Sequence, residues 1–373
     1  MRFEFLVLKE LTVTIAQTLF LKNIPFCLYR FPAENAFRMA IEESFLPHQK
    51  DQVFLISPFH EDSLEKELQL AVVNNDFLTN DFLQHIEKVV VGKDFPEIQL
   101  LPETTKKEYF QKLKAYLQEI HSGKIEKAIL SRVIYEDKPK DFNLFDCFLR
   151  LSASYPETLS YLLVTPQSGI WMGATPELLL EKRQNLYAVM ALAGTQPRNE
   201  SGKYFWREKE TVEHLMVGRH IQSVFKNNGF KLIKKSPLTT KETGKVAHLK
   251  TDYLFEDIHK MKLELLLKDL HPTPAIGGLP VNNALACILE HEGYDRRYYS
   301  GIIGQTDFSS TADLYINLRC MQVGKDKIAI YTGGGITAAS DAEEEWQETI
   351  LKSKTVAEKI NPSKTMKLNE TIR

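Results

Sequence analysis

Two pairs of glutamates stand at a spacing that would gather charge on one helix face. Glu210 and Glu213 are three positions apart, and so are Glu345 and Glu348, with Lys352 four positions further on. Residues three or four apart on an α-helix are surface neighbours. Carboxylates from two such helices could grip a hard divalent cation such as Mg²⁺, which prefers oxygen ligands and keeps several waters. The run Glu343-Glu344-Glu345 also reads as the acidic first turn of a water-facing helix, where negative charge complements the helix dipole. Spacing leaves both readings open.

Further groups have the chemistry of a reaction site. Lys127 opens the apolar, β-branched run KAILSRVIY, and it points inward if it shares the face of Ile129 and Ser131. A desolvated lysine can serve as a general base, whereas an edge-strand lysine only blocks unwanted strand pairing. Glu177, in Thr175-Pro176-Glu177, follows an expected strand and could be a general acid if its surroundings penalise its charge; otherwise it is a solvated loop carboxylate. Gly333, Gly334 and Gly335 offer close backbone approach and N–H groups to an anion, or form a tight turn. Arg319 is a natural fork for a carboxylate, or one half of a structural ion pair. His248 sits alone in an apolar segment, where packing is its default role. Leu270-His271-Pro272-Thr273-Pro274-Ala275 is a proline-restricted loop without chemistry of its own.

These groups need elements to hold them. Apolar runs at Pro25–Arg30 and Val53–Ser57 read as strands. The polar stretch Leu101–Lys107 reads as a junction, with Thr104 or Thr105 as a helix cap. Helices are expected over Lys106–His121, Asn143–Tyr155, Phe205–Asn227, Thr251–Leu267, Val281–His291 and Asp341–Ile360, the last capped by Asp341. Strands are expected over Lys127–Tyr135, Ser160–Thr165, Ile170–Gly173, Leu186–Leu192, Tyr299–Thr306, Ala312–Val323 and Lys327–Thr332. Helices mixed with hairpin-like strand groups, without strict βαβ alternation, point to an α+β architecture.

Composition narrows the field. The chain has 373 residues, 43% hydrophobic and 26% charged, enough for a large core. Its formal charge of −2 speaks against a non-specific nucleic-acid binder, which needs a basic surface. The four cysteines (Cys27, Cys147, Cys287, Cys320) form no CxxC pair, so neither a disulfide framework nor a zinc knuckle is expected. Scattered thiols fit a reducing cytosol, and a cytoplasmic location is expected. Charges at Glu4, Lys9, Glu10 and Lys22 interrupt the apolar N-terminal run, so no membrane span and no secretory leader are expected there.

Taken together, the segments KAILSR (127–132), GATPELLL (173–180), ALAGTQPR (191–198), KETVEHLMV (209–217), VAHL (246–249), LHPTPAIGGLP (270–280), YDRRYYSGIIG (294–304), LYINLRC (314–320), TGGGI (332–336) and EEWQETILK (344–352) resemble the chorismate-utilising enzymes. That family includes isochorismate synthases, salicylate synthases, anthranilate synthase large subunits and aminodeoxychorismate synthases. The order of the segments is kept from about 105 to 360, roughly two thirds of the chain.

The resemblance implies two antiparallel sheets with outer helices and an active site between them. It divides the chain into residues 1–104, a catalytic region 105–361 and a tail 362–373. Lys127 resembles the base that activates water, and Glu177 the acid that protonates a departing hydroxyl. Glu213 and Glu348 resemble direct Mg²⁺ ligands, with Glu210 and Glu345 holding the ion's waters. Arg319 and the amides around Gly333 and Gly334 resemble a clamp on the enolpyruvyl carboxylate of chorismate. Lys352 and His248 resemble pocket residues, and Gly194 and Thr195 a backbone wall beside the ring. Lys127 points to the water-adding branch, hence to isochorismate formation, and no obligate glutaminase partner is expected. An aminodeoxychorismate synthase would carry a lysine where Ala193 stands. Salicylate formation by further loss of pyruvate is the alternative, and a silent chorismate-binding subunit the second. The product's destination, menaquinone or a siderophore, stays open.

Overall fold

The computed structural model describes residues 2–46, 51–89, 97–199, 201–243 and 246–361. The tail 362–373 lies outside the described residues. The helices are α1 (Arg2–Leu21), α2 (Asn80–Lys88), α3 (Lys106–His121), α4 (Leu144–Ser154), α5 (Glu208–Asn227), α6 (Leu263–Leu270), α7 (Val281–His291) and α8 (Ala342–Ile360). None of the described helices is long and apolar enough to cross a membrane.

Local sequence explains the helix starts. Thr105 Oγ1 accepts from the Glu108 amide at 3.3 Å while Glu108 Oε2 accepts from the Thr105 amide at 2.8 Å, a reciprocal cap. Tyr109, Leu113, Tyr116 and Ile120 then repeat at helical spacing on the buried face of α3. Asp341 Oδ1 accepts from the amides of Glu343 and Glu344 and so starts α8. The α5 helix begins at Glu208 and not at Phe205, because the Arg207 amide turns back to Glu210 Oε2 at 2.9 Å.

Among the described residues all strand pairings are antiparallel, and the strands form one hydrogen-bonded network of 17. That network folds over on itself into two layers. A core that includes Tyr29, Phe54, Tyr161, Trp171 and Tyr331 lies between the layers and takes no buried residue from any helix. Helices α3, α5, α6 and α7 cover one outer face, and α1, α4 and the end of α8 the other. The expected α+β arrangement of antiparallel sheet layers with outer helices is present, and continuous hydrogen bonding joins the layers. The first hundred residues are woven in: Phe26 faces Val164, and Val53 faces Thr306.

Three expectations need correction. Thr251–Leu267 is not one helix: Val246–Glu256 is a strand, and α6 follows. Thr251, Tyr253 and Phe255 are buried with Asp252 exposed between them, a period of two hidden by the apolar Leu254. Ala312–Val323 is two strands, Thr311–Ile316 and Cys320–Val323, parted by Arg319 at φ 49. The strand expected over Lys327–Thr332 runs on to Thr337, so the three glycines sit within a ladder opposite Ser131, Leu130 and Ile129 and not in a turn.

Candidate active site

Strand Lys127–Asp137 lies beside strand Lys327–Thr337, with Ile129 opposite Gly335. Lys127 is 0% exposed, and its Nζ donates to Glu213 Oε1 at 2.7 Å. The glycines make room for this pair. A Cβ on Gly335 would lie 2.8 Å from Lys127 Cε and 2.9 Å from Glu213 Oε1. One on Gly334 would lie 3.0 Å from Glu345 Oε2 and 3.9 Å from Glu348 Oε1. Carboxylates from α5 and α8 thus reach the same bare stretch of backbone, as the spacing in both helices allows.

Each carboxylate has a cationic partner. Glu348 pairs with Lys352 at 2.7 Å, and Lys352 Nζ also donates to the Gly333 carbonyl at 3.0 Å. Glu345 accepts from Lys209 at 3.1 Å and from Ser340 Oγ at 2.7 Å. Glu210 pairs with Arg207 at 2.6 Å. Among the described residues no three ligating side chains converge on one point. Burial and the nearby Glu348 push the Glu345 carboxyl up. Burial would raise Glu213 too, but the charge and hydrogen bond of Lys127, with Lys352 and Lys209, hold it below the usual range. Burial opposes the charge on Lys352, yet Glu348, Glu213 and Glu345 outweigh it and raise its pKa.

Glu177 follows strand Gly169–Thr175, and its carbonyl accepts from the Ile316 amide at 3.0 Å. Burial pushes its carboxyl up to about 7, against the pull of Lys127, Lys352, Arg319 and Lys241. Arg319 Nη2 donates to His248 Nε2 at 2.8 Å, and its Nη1 donates to the Thr243 carbonyl at 3.2 Å. A guanidinium only donates, so Nε2 accepts and His248 carries its proton on Nδ1. That nitrogen lies 2.9 Å from the Gly194 carbonyl and 3.4 Å from Thr195 Oγ1. Burial, then Arg319 and Lys352, push the imidazole well below its usual value, so it is neutral. Gly194 adopts φ 74, and a Cβ there would lie 3.0 Å from Glu210 Cβ. The left-handed backbone and the close approach of α5 both require glycine.

These elements enclose one cleft with roughly 1140 Å³ of empty space, including its open mouth. Its lining includes Glu177, Gly194, Thr195, Glu210, Glu213, His248, Arg319, Gly333, Gly334, Glu345, Glu348 and Lys352. Lys127 alone among the expected site residues presents no surface to the cleft; it lies beneath Gly335, against Glu213. Lys209 and Arg207 were not anticipated. Lys209, four positions before Glu213, and Arg207, three before Glu210, carried the helical-spacing signal that marked the glutamates. The apolar walls, Ile129, Leu192, Ile276 and Leu318, come from four segments that no local pattern links. A concave site with apolar walls and a few convergent charged groups has the make-up of a small-molecule site.

The sequence profile of the family described as "Chorismate binding enzyme" matches residues 29–361. The chain belongs to the chorismate-binding enzyme family. It is 28% identical over 268 residues to the isochorismate synthase EntC of Escherichia coli strain K12, covering 70% of this chain and 68% of that one. It is 26% identical to the vibriobactin-specific isochorismate synthase of Vibrio cholerae over 69% of this chain and 68% of that one. The structure of MenF, the menaquinone-specific isochorismate synthase of E. coli, superposes with a TM-score of 0.72 at 18% identity, covering 91% of this chain and 89% of that one. Anthranilate synthase component I of Streptococcus pneumoniae shares the fold with a TM-score of 0.65 at 18% identity, over 89% of each chain.

Proposed function

We propose that this chain is an isochorismate synthase, converting chorismate to isochorismate with Mg²⁺. The observation that carries this reading is the place of Glu177: a carboxyl buried in the wall of a cleft that also holds Arg319 and Lys352, where burial pushes it up to about 7. An acid of that strength can protonate a departing hydroxyl at neutral pH. Arg319 and the Gly333–Gly334 backbone orient the enolpyruvyl carboxylate. Lys127 takes a proton from water as the water oxygen bonds to C2 of the ring. The ring π electrons shift, the C4–O bond breaks, and Glu177 gives its proton to the leaving hydroxyl. One water enters and one leaves, so the reaction is an isomerisation. In the geometry described Lys127 is held by Glu213, so it serves as base only when that carboxylate turns from it.

The donor set suits Mg²⁺: the oxygens are hard, and the bare backbone at Gly334 and Gly335 lets the side chains of Glu213, Glu345 and Glu348 approach one stretch of chain. Glu213 and Glu348 would hold the ion, with Glu210 and Glu345 on its waters, and the metal would supply charge neutralisation for the ring carboxylate. The named relatives are isochorismate synthases, and no observation favours subsequent loss of pyruvate.

The test is direct. The purified chain is incubated with chorismate and Mg²⁺, and products are separated by chromatography. Isochorismate is expected. Salicylate with pyruvate, an aminated ring when ammonium is supplied, or no conversion would each overturn the reading.

A further inference from the structure

Arg132 is an unusual cation for so deep a position. It lies on strand Lys127–Asp137, five residues beyond Lys127, and is 4% exposed. Among the described residues no carboxylate is hydrogen-bonded or ion-paired to it. Its Nε donates to Thr349 Oγ1 at 2.7 Å, and its guanidinium carbon stands 3.4 Å from the centre of the Trp346 ring. The Thr349 hydroxyl in turn donates to the Trp346 carbonyl at 2.7 Å. On the neighbouring strand, Thr332 Oγ1 donates to the Thr349 carbonyl at 3.3 Å. Tyr109 meets the Trp346 ring edge-on, with centroids 5.4 Å apart.

A fold needs no buried guanidinium for stability alone, because apolar replacement of a buried charge is often neutral or favourable. Its nearest contacts are with one helix, α8, at two points a turn apart, while the Tyr109 ring of α3 stands further off, 5.9 Å from the guanidinium carbon. Trp346 and Thr349 each follow by one position a carboxylate that faces the cleft, Glu345 and Glu348. Each helical residue advances about 100° around the axis, so the face gripped by Arg132 lies about a quarter turn from the face bearing Glu345, Glu348 and Lys352. Side chains reach about 6 Å from a helix axis, so a rotation of roughly 10° moves a carboxylate by about 1 Å.

We propose that Arg132 is a positioning residue, a planar fork on the sheet that fixes the rotation of α8 and thereby sets where Glu345 and Glu348 stand at the metal and substrate site. The inference rests on the proposed Mg²⁺-dependent function. The planar group is what counts, because stacking on Trp346 and the Nε bond to Thr349 set direction as well as contact, which an ammonium cannot do.

The experiment compares the intact chain with R132M, R132K and T349V by calorimetric titration with Mg²⁺ without chorismate, by thermal unfolding, and by separate kcat and KM values. Both Arg132 variants are expected to bind Mg²⁺ roughly 10–100-fold more weakly, as loss of a group orienting a metal ligand does. Their melting temperatures should stay within about 4 °C of the parent. T349V should weaken Mg²⁺ binding in the same direction by less, and it serves if the Arg132 variants do not fold. Full Mg²⁺ affinity in R132K would show that charge alone suffices and would overturn the proposal. So would unchanged affinity in T349V together with R132M, or melting temperatures that collapse while the folded fraction binds Mg²⁺ normally. A parent chain that binds no Mg²⁺ fails the proposed function itself, and the inference falls with it.

Discussion

Lys127 Nζ and Glu213 Oε1 stand 2.7 Å apart beneath a position, Gly335, that has no side chain. The lysine is fully buried and the glutamate lies at the edge of the cleft, so the pair links the sheet interior to the site. Replacing the lysine by an apolar group of similar volume removes one charge and leaves the other, Glu213, without its hydrogen-bonded partner. Lys127→Met is therefore expected to lose up to about 3 kcal/mol of stability, while turnover falls about 10²–10⁴-fold. Glu213→Gln strands the buried ammonium and is expected to lose about 3 kcal/mol. Urea unfolding beside a turnover assay reads both, and a Lys127→Met variant that still makes isochorismate at the parental rate removes the lysine from the mechanism.

Glu177 sets a pH limb. Burial raises its carboxyl to about 7, so the acid form is present below that pH and lost above it. The kcat should decline as pH rises through about 7 if this proton is the one delivered. Glu177→Gln should lower turnover about 10²–10⁴-fold and abolish that limb. The same shift acts on stability with a definite sign. A carboxyl whose folded pKa is raised binds more protons folded than unfolded between the two values, so its contribution declines as pH rises from about 4.5 through about 7. A kcat flat across this range would mean that another group donates.

Arg319 is aimed by His248, whose neutral ring accepts one guanidinium N–H at Nε2 and donates its Nδ1–H to the Gly194 carbonyl. Arg319→Lys keeps the charge and loses the fork, so KM for chorismate should rise at least about tenfold with a smaller change in kcat. His248→Ala should raise KM in the same direction, because Arg319 loses its brace. Parental KM values in both variants would make the arginine peripheral to substrate.

The glycine ladder offers a steric test. Gly335→Ala places a methyl 2.8 Å from Lys127 Cε and 2.9 Å from Glu213 Oε1, so the buried lysine and its glutamate partner must both shift. Gly334→Ala meets the end of the Glu345 side chain at 3.0 Å, which can swing aside. Gly335→Ala is expected to lower kcat/KM at least about 10²-fold, a typical consequence of displacing a site group by an ångström. Gly334→Ala should cost less. Equal effects, measured side by side at several Mg²⁺ concentrations, would contradict the distances.

What could be read from the residues alone divides along physical lines. Helix α3 was legible to its ends because its cap and its apolar stripe are both local. Glu210, Glu213, Glu345 and Glu348 were legible because helical spacing is a local property too. Strand Val246–Glu256 was misread because its alternation is blurred by Leu254, and because its partner, strand Leu186–Pro197, lies far off in sequence. The glycines admit both a ligand-facing backbone and a turn from sequence alone, because the reason for them is tertiary: Lys127 and Glu213 occupy the space a side chain would need. Arg319 interrupts its strand for a similar reason, reaching back to Thr243 and His248 across the cleft. The strand around Lys127 is legible in its alternating β-branched run, but the burial of Lys127 depends on Glu213, which no window around residue 127 contains.

The weaving of the first strands into the sheet has a bearing on synthesis. Val53–Ser57 pairs on one side with the nearby Leu68–Val73 and on the other with Ile302–Thr306. At about 5–20 residues per second, that second partner leaves the ribosome roughly 12 s or more after the first strand is made. Throughout that interval Val53–Ser57 presents an open edge of β-branched and aromatic residues, the kind of edge that recruits strands from other chains. Yield in a cell should therefore depend on how well that edge is shielded during translation, and slower synthesis should help less here than a holding chaperone would.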